Sequence, residues 1–154
     1  MPVRIRPTAG TVIAKLGLEP HPEGGHFRET WRADAAAGER PSATAIMYLL
    51  AEGERSAWHR VDAAEVWLFH AGDPLELCVA RDGDDQPDRY VLGTEVVEGE
   101  RPQVVVPTGA WQSARTLGGW TLVSCVVSPG FRFEGFELAA PAWEPGQDSR
   151  RRSR

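Results

Sequence analysis

The sequence predicts an all-β fold, a sandwich or barrel of antiparallel strands preceded by one short N-terminal helix. Three observations carry this. From Gly25 onward the chain is a succession of short apolar or alternating runs broken by Gly, Pro and Asp. Turn signals such as "RDGDD" and "VEGERP" separate those runs at hairpin-like spacing. No run of strand pattern alternates with a long helical one, so a parallel βαβ arrangement is excluded.

Taken in order, Thr8 to Leu16 reads as the helix. Pro7 leads in, Val12, Ile13 and Leu16 form an apolar stripe, and Gly17 stands where a left-handed cap is needed. The strand candidates follow as "GHFRETWRA", "SATAIMYLLA", "SAWHRV", "EVWLFHAG", "PLELCVARD", "DRYVLGTEVVEG", "RPQVVVPTG", "GWTLVSCVVSPG" and "FEGFELA". Between the first two lies a loose small-residue loop, "ADAAAGERPS". The end, "PAWEPGQDSRRRSR", reads as an exit from the core. The expected organisation is a single domain over residues 8–144 and a disordered Arg-rich tail over 145–154, without internal repeats.

Composition narrows the class. The chain has 154 residues, 42% of them hydrophobic, enough for one sizeable core. It holds no run of apolar residues long enough to span a bilayer, and "MPVRIRPTAG" lacks a signal-peptide apolar stretch, so the expectation is a cytoplasmic protein with no membrane partner. Cys78 and Cys125 sit in apolar strand-like runs and read as buried thiols. The net charge is −5, and the last seven residues contribute four arginines against one aspartate, so the rest is more acidic still. That sign is wrong for a nucleic-acid binder, which needs a basic face for phosphate.

Candidate chemistry centres on "GERSAWHRVDAAEVWLFHAG". Strand residues alternate faces, so Ala57, His59 and Val61 share one side, and Glu65, Trp67 and Phe69 share a side in the next run. With Asp62, Ala63 and Ala64 as the turn, His59 and Glu65 converge. An imidazole beside a carboxylate suits acid–base work or a divalent metal. Upstream, "HPEGGHFRET" places two glycines where backbone must approach closely or take positive φ. Beyond them His26, Arg28 and Thr30 share one face, and an inward Arg28 would select an anionic group. Plainer readings stand beside these: a surface ion pair of Arg28 with Glu29 or Glu23, a half-exposed His59, and ordinary core packing for each aromatic. His21 reads as part of a turn and His70 as facing the other side of its sheet.

The frame around His59 carries a resemblance. Gly53, His59, Val61, Glu65 and Gly72 resemble the first cupin motif at each fixed position except the second histidine, which is Val61. Pro107, Gly109 and Gln112 resemble part of the second motif, with Gln112 at the place of the last metal-binding histidine and Thr116 at that of the asparagine. More specifically, "LGLEPHPEGGHFRETWRA", "EVWLFHAGDPLEL", "VVVPTGAWQSA" and "VVSPGFRFEGFELA" are similar to the functionally uncharacterised cupin 5 subfamily with its HPEGG-x-x-RET hallmark, from about Leu16 to Ala140. The resemblance implies a double-stranded β-helix, the cupin jelly-roll barrel.

It also implies a site with fewer metal donors than a typical cupin. Of three His and one Glu, only His59 and Glu65 remain good ligands, with Gln112 a poor third. The expectation is therefore no cofactor, a divalent metal being the alternative. The expected ligand is a small polar or anionic molecule held by Gln112, Arg28, Thr30, His26, Trp67, Phe69 and Trp111. The expected activity is a metal-independent sugar or hydroxy-acid isomerase or epimerase in which His59, Glu65 and Tyr48 are catalytic. Two alternatives stay open: a non-catalytic small-ligand binding or sensing protein, and a metal-dependent oxygenase, decarboxylase or lyase. An outward apolar strip of Trp58, Val66 and Leu68, together with the pairing of sheets common among cupins, implies a homodimer.

Overall fold

The computed structural model describes residues 5–147. The Arg-rich end expected to be disordered lies, from residue 148 on, outside the described residues. The chain runs through helix α1 (Ala9–Leu16), then β1 (Glu19–Pro20), β2 (His26–Arg32), β3 (Thr44–Ala51), β4 (Ser56–Val61), β5 (Ala64–Gly72) and β6 (Leu75–Ala80). It continues as β7 (Asp88–Leu92), β8 (Gln103–Val106), β9 (Trp111–Thr116), β10 (Trp120–Ser128) and β11 (Phe136–Leu138). A six-stranded sheet in the order β1-β2-β3-β10-β5-β8 faces a five-stranded one in the order β11-β4-β9-β6-β7. The strand pairings are antiparallel, as an all-β jelly-roll barrel requires.

The helix forms where its caps put it. The Thr8 hydroxyl accepts from the Thr11 N–H at 3.2 Å, and Gly17 takes φ +64° to end the last turn. Val12, Ile13 and Leu16 lie over Leu18, Leu49 and Trp120, covering one end of the six-stranded sheet's outer face. Between the sheets, Tyr48, Leu50, Trp67, Leu75, Leu77 and Val123 make the main core. Cys125 joins that core and both cysteines are free thiols. Among the described residues no helix is long and apolar enough to cross a membrane.

Three elements differ from the sequence reading. Strand β9 carries the buried polar residues Gln112, Ser113 and Thr116, so it lacks the apolar alternation that marks a strand. "DRYVLGTEVVEG" is a strand only to Leu92, and Val96–Glu98 is a short 3-10 turn. The segment after Leu138 does not leave the core: Ala139 and Trp143 pack on Trp58, Ala80 and Trp111, and Pro145 and Gly146 are buried. That strap covers Trp58, which is 7% exposed and so does not form the expected outward strip with Val66 and Leu68.

Candidate functional site

Two bulges decide which side chains face the interior. Strand β2 pairs Phe27 with Tyr48 and Glu29 with Ile46, then slips so that Trp31 meets Ala45 and Arg32 meets Thr44. One extra residue at Thr30 reverses the alternation, and Arg32 turns inward with Phe27 and Glu29. In β4 the pairing with β9 slips between Ser56 and His59, which brings both to the interior.

The β1–β2 connection supplies a group that sequence reasoning missed. His21 N–H donates to the Gly25 carbonyl and Gly24 N–H to the His21 carbonyl, closing a tight turn around Pro22 and Glu23. Gly24 and Gly25 take φ of +112° and +74°, and a Cβ on Gly24 would lie 2.0 Å from the Arg55 carbonyl oxygen. Only glycine permits that approach, as the adjacent pair in the sequence suggests. The turn thereby drives the Glu23 carboxylate into the barrel, where it is 7% exposed. The sequence signal was this glycine pair directly after a carboxylate, overlooked because Pro-Glu-Gly-Gly has the composition of a surface turn.

Inside, Glu23 Oε2 lies 3.1 Å from His59 Nε2, and Glu23 Oε1 accepts from the Ser56 hydroxyl at 2.8 Å. His59 Nδ1 lies 2.7 Å from the Ala57 carbonyl oxygen. A carbonyl only accepts, so Nδ1 carries a proton and Nε2 faces Glu23. Burial lowers the His59 pKa against the pull of Glu65, and burial raises that of Glu23 against His21, Ser56 and Tyr48. Both directions favour a neutral pair, a Glu23 O–H donated to an unprotonated Nε2. His21 Nδ1 accepts from the Glu23 N–H at 3.0 Å, which leaves the His21 proton on Nε2. That atom makes no protein hydrogen bond among the described residues, and its ring lines the cavity.

Across the barrel, Trp67 N–H donates to Gln112 Oε1 at 2.8 Å, and Gln112 Nε2 donates to Glu65 Oε2 at 2.7 Å. The indole, having only a donor, fixes the amide so that its NH2 meets the carboxylate. Burial raises the Glu65 pKa to about 7, with His59 opposing and Glu23 reinforcing the rise. The Cys125 thiol, pushed up by burial and beside Glu65, stays protonated.

These groups border a cavity of about 250 Å³ between the sheets. His21, Glu23, His59 and Glu65 supply its polar inner end. Phe27, Ile46, Val61, Val127 and Phe131 supply apolar walls. At the mouth stand Arg32, Arg132 and Phe133, with side chains 45% and 51% exposed for the two arginines.

Of the residues singled out in the sequence, His59 and Glu65 meet in this cavity. Gln112 and Trp67 stand behind Glu65 and orient it. Phe69 packs against the main core without lining the cavity. Tyr48 also lies behind the surface: its hydroxyl donates to the Gly24 carbonyl, its ring stacks 5.5 Å from His21, and it is a positioning residue rather than one that touches a ligand. Trp111 points to the other face of β9, under Arg60 and against Trp143, because it is the strand neighbour of inward Gln112. Arg28, Thr30 and His26 occupy the outer face of β2. Arg28 donates to the Leu16 carbonyl, Thr30 to the Ala45 carbonyl, and His26 lies 3.8 Å from Glu54. His70 faces outward as expected, 2.5 Å from the Ser124 hydroxyl.

The donor set does not fit the metal site that the cupin pattern implies. Val61 has no donor atom, both ends of the Gln112 amide are committed, and both His59 nitrogens are taken. Among the described residues no three His, Cys, Asp or Glu side chains are grouped to hold a metal ion.

The comparisons agree with the fold. Residues 10–139 match the family model Cupin_5, described as Cupin superfamily (DUF985). A hypothetical protein from Leishmania major is similar at 36% identity and a TM-score of 0.79, covering 89% of this chain and 90% of the other. A Shewanella oneidensis protein of known structure is similar at 38% identity and a TM-score of 0.82, covering 88% and 86%. An oxalate decarboxylase from Bacillus subtilis shares the fold at 16% identity and a TM-score of 0.59, over 77% of this chain and 29% of that one. Among curated proteins nothing matches. A paired HPEGG turn and His–Glu frame on a jelly-roll barrel, matched over most of its length by the family model, make this chain a member of the DUF985 family of the cupin superfamily.

Proposed function

We propose that the barrel binds a small polar or anionic molecule and moves a proton on it without a metal, as an isomerase acting next to a carbonyl or hydroxyl carbon. The observation that carries this is the buried Glu65, with a pKa raised to about 7 at the edge of a cavity that also holds a donor on His21. A carboxyl group titrating near neutrality serves as base when ionised and as acid when protonated.

The roles differ from those expected of the sequence. His59 has no nitrogen left for a substrate, so it does not take the proton itself. Glu65 removes a proton from carbon, the electron pair moves onto the substrate oxygen, and the His21 Nε2 proton stabilises that oxygen. Glu65 then returns the proton to the same carbon, which is exchange, or to the former carbonyl carbon while the adjacent hydroxyl passes its own proton to the oxygen held at His21, which moves the carbonyl; neither consumes an oxidant or co-reactant. Glu23 and His59, as a neutral pair, hold the turn in place without adding a second full charge beside Glu65.

Tyr48 donates to the Gly24 carbonyl and does not line the cavity, which leaves an epimerase short of the second-face acid expected of that residue. The same shortage favours the second reading, a binding or sensing protein with no turnover. Deuterium exchange separates them. Incubation with 2-oxo acids, 2-hydroxy acids and reducing sugars in deuterated buffer should show protein-dependent loss of a carbon-bound proton signal by NMR, abolished in Glu65→Gln. A bound compound that never exchanges would leave only the binding reading.

A further inference from the structure

The cavity's walls and mouth specify more about its ligand than its inner end does. A sugar would set hydroxyls against Phe27, Ile46, Val61, Val127 and Phe131, none of which offers a hydrogen-bonding side-chain group. Stripping water from a hydroxyl that finds no partner there opposes binding, once for each such group. The inner end already holds two carboxyl groups, Glu23 and Glu65, so a second anion on the ligand finds no counter-charge at that depth.

At the mouth the balance reverses. Two arginines of the lining, Arg32 and Arg132, stand against one carboxylate, Glu29; Arg32 is paired with Glu29, and Arg132 shares Asp62, outside the lining, with Arg40. Arg32 spends Nε and Nη2 on Glu29, and Arg132 uses Nη2 on Asp62. Arg32 Nη1 and Arg132 Nε and Nη1 make no protein hydrogen bond among the described residues. Two guanidinium groups with free donors, at one opening, suit a carboxylate.

We propose that the ligand is an amphipathic organic monoanion: a carboxylate held at the mouth by Arg32 and Arg132, an apolar or aromatic body against the phenylalanine and aliphatic walls, and a carbonyl or hydroxyl oxygen turned toward His21 and Glu65. At about 250 Å³ the cavity falls below the common drug-sized range, which limits the body to about one ring. The inner end of this assignment rests on the acid–base reading above; the walls and the mouth do not.

The test uses the full chain and two oxo acids that carry carboxylate and enolisable carbonyl at opposite ends of one ring, 4-acetylbenzoate and (4-acetylphenyl)acetate, each beside its neutral amide, with glucose as a polyol control. Binding is read by calorimetry, and proton exchange by NMR in deuterated buffer. At least one acid should bind roughly tenfold or more tighter than its amide, the increment expected of a charge-assisted pair. That gap should shrink in Arg132→Met and in Arg32→Met, and glucose should not bind. Equal affinity for acid and amide would overturn the anion assignment, even if Glu65-dependent exchange persisted and kept the acid–base reading alive. Preferential acid binding with no exchange would support the ligand class and remove the acid–base reading. Binding of glucose, or of none of the probes, would overturn the class.

Discussion

Glu23 Oε2 sits 3.1 Å from His59 Nε2, while the opposite nitrogen of that imidazole, Nδ1, is held 2.7 Å from the Ala57 carbonyl oxygen. The carbonyl fixes which nitrogen keeps its proton, so the only proton that can move lies between His59 and Glu23. Nitrogen-15 NMR of the imidazoles should find His59 protonated at Nδ1 alone at neutral pH. In Glu23→Gln the amide donates to Nε2 and can never ionise. His59 should then stay neutral to lower pH than in the wild type, and a rise in its protonation midpoint would contradict the neutral pair.

Glu65 makes stability depend on pH in a definite direction. Its pKa rises from 4.5 to about 7 on folding, so between those values the folded state holds more protons than the unfolded one. The Glu65 contribution therefore falls as pH rises through this window. At about 1.4 kcal/mol per unit, the full loss approaches ~3 kcal/mol. His59, lowered by burial, acts in the opposite sense: its contribution is lost as pH falls below its unfolded value. Glu65→Gln should remove the Glu65 share of the first trend, leaving that of Glu23, whose pKa burial also raises, and keep the second. Thermal melts of both proteins from pH 5 to 8 should show the variant gaining on the wild type as pH rises, and parallel curves would contradict the assignment.

Gln112 is the hinge of the Trp67–Gln112–Glu65 chain. Gln112→Leu strands the Trp67 N–H and deprives Glu65 of a donor to its charged form. Leaving a buried donor unsatisfied costs about 1–3 kcal/mol, which should appear in the denaturant midpoint. The Glu65 midpoint should also move above about 7, since the lost hydrogen bond had been lowering it. A fall in stability with no change in the NMR titration of Glu65 would mean that the amide only fills space. The wild type should carry well below one equivalent of transition metal by elemental analysis. Val61→His with Gln112→His restores the two donors missing from the cupin pattern, and a gain of metal there but not in the wild type would locate the cause in these two positions.

How far the sequence could be read follows from period 2. It holds along β5 as far as Phe69, so Glu65 and Trp67 were legible as inward residues, and across the β4–β5 turn, so His59 and Glu65 were legible as neighbours. It breaks at Thr30 and between Ser56 and His59, where one extra residue swaps the faces. The first break turns Arg32 inward and the second hid Ser56, whereas Arg28, ahead of the bulge, faces out because the alternation starts with Phe27 facing in, a choice that period 2 alone does not make. Trp111 was misjudged by proximity to Gln112 in a strand whose adjacent residues face opposite ways. Glu23 was illegible for another cause: its burial comes from a close backbone contact between Gly24 and Arg55, distant in sequence.

That contact gives the last prediction. A methyl group on Gly24 would fall 2.0 Å from the Arg55 oxygen and one on Gly25 2.5 Å from the Tyr48 ring, both on backbone at positive φ. Neither neighbour is the free end of a flexible chain, so the turn must shift. Gly24→Ala and Gly25→Ala should each cost more than ~2 kcal/mol, beyond the effect of positive φ alone. Because the turn carries Glu23 and His21, the shift should also release His59, whose tautomer would no longer be uniform by nitrogen-15 NMR. Gly53→Ala is the control, since φ is +81° there and nothing lies within 4 Å of the added carbon. It should lose about 1 kcal/mol and leave the His59 signals unchanged. If Gly24→Ala behaved like Gly53→Ala, the close approach would not be what seats Glu23 against His59.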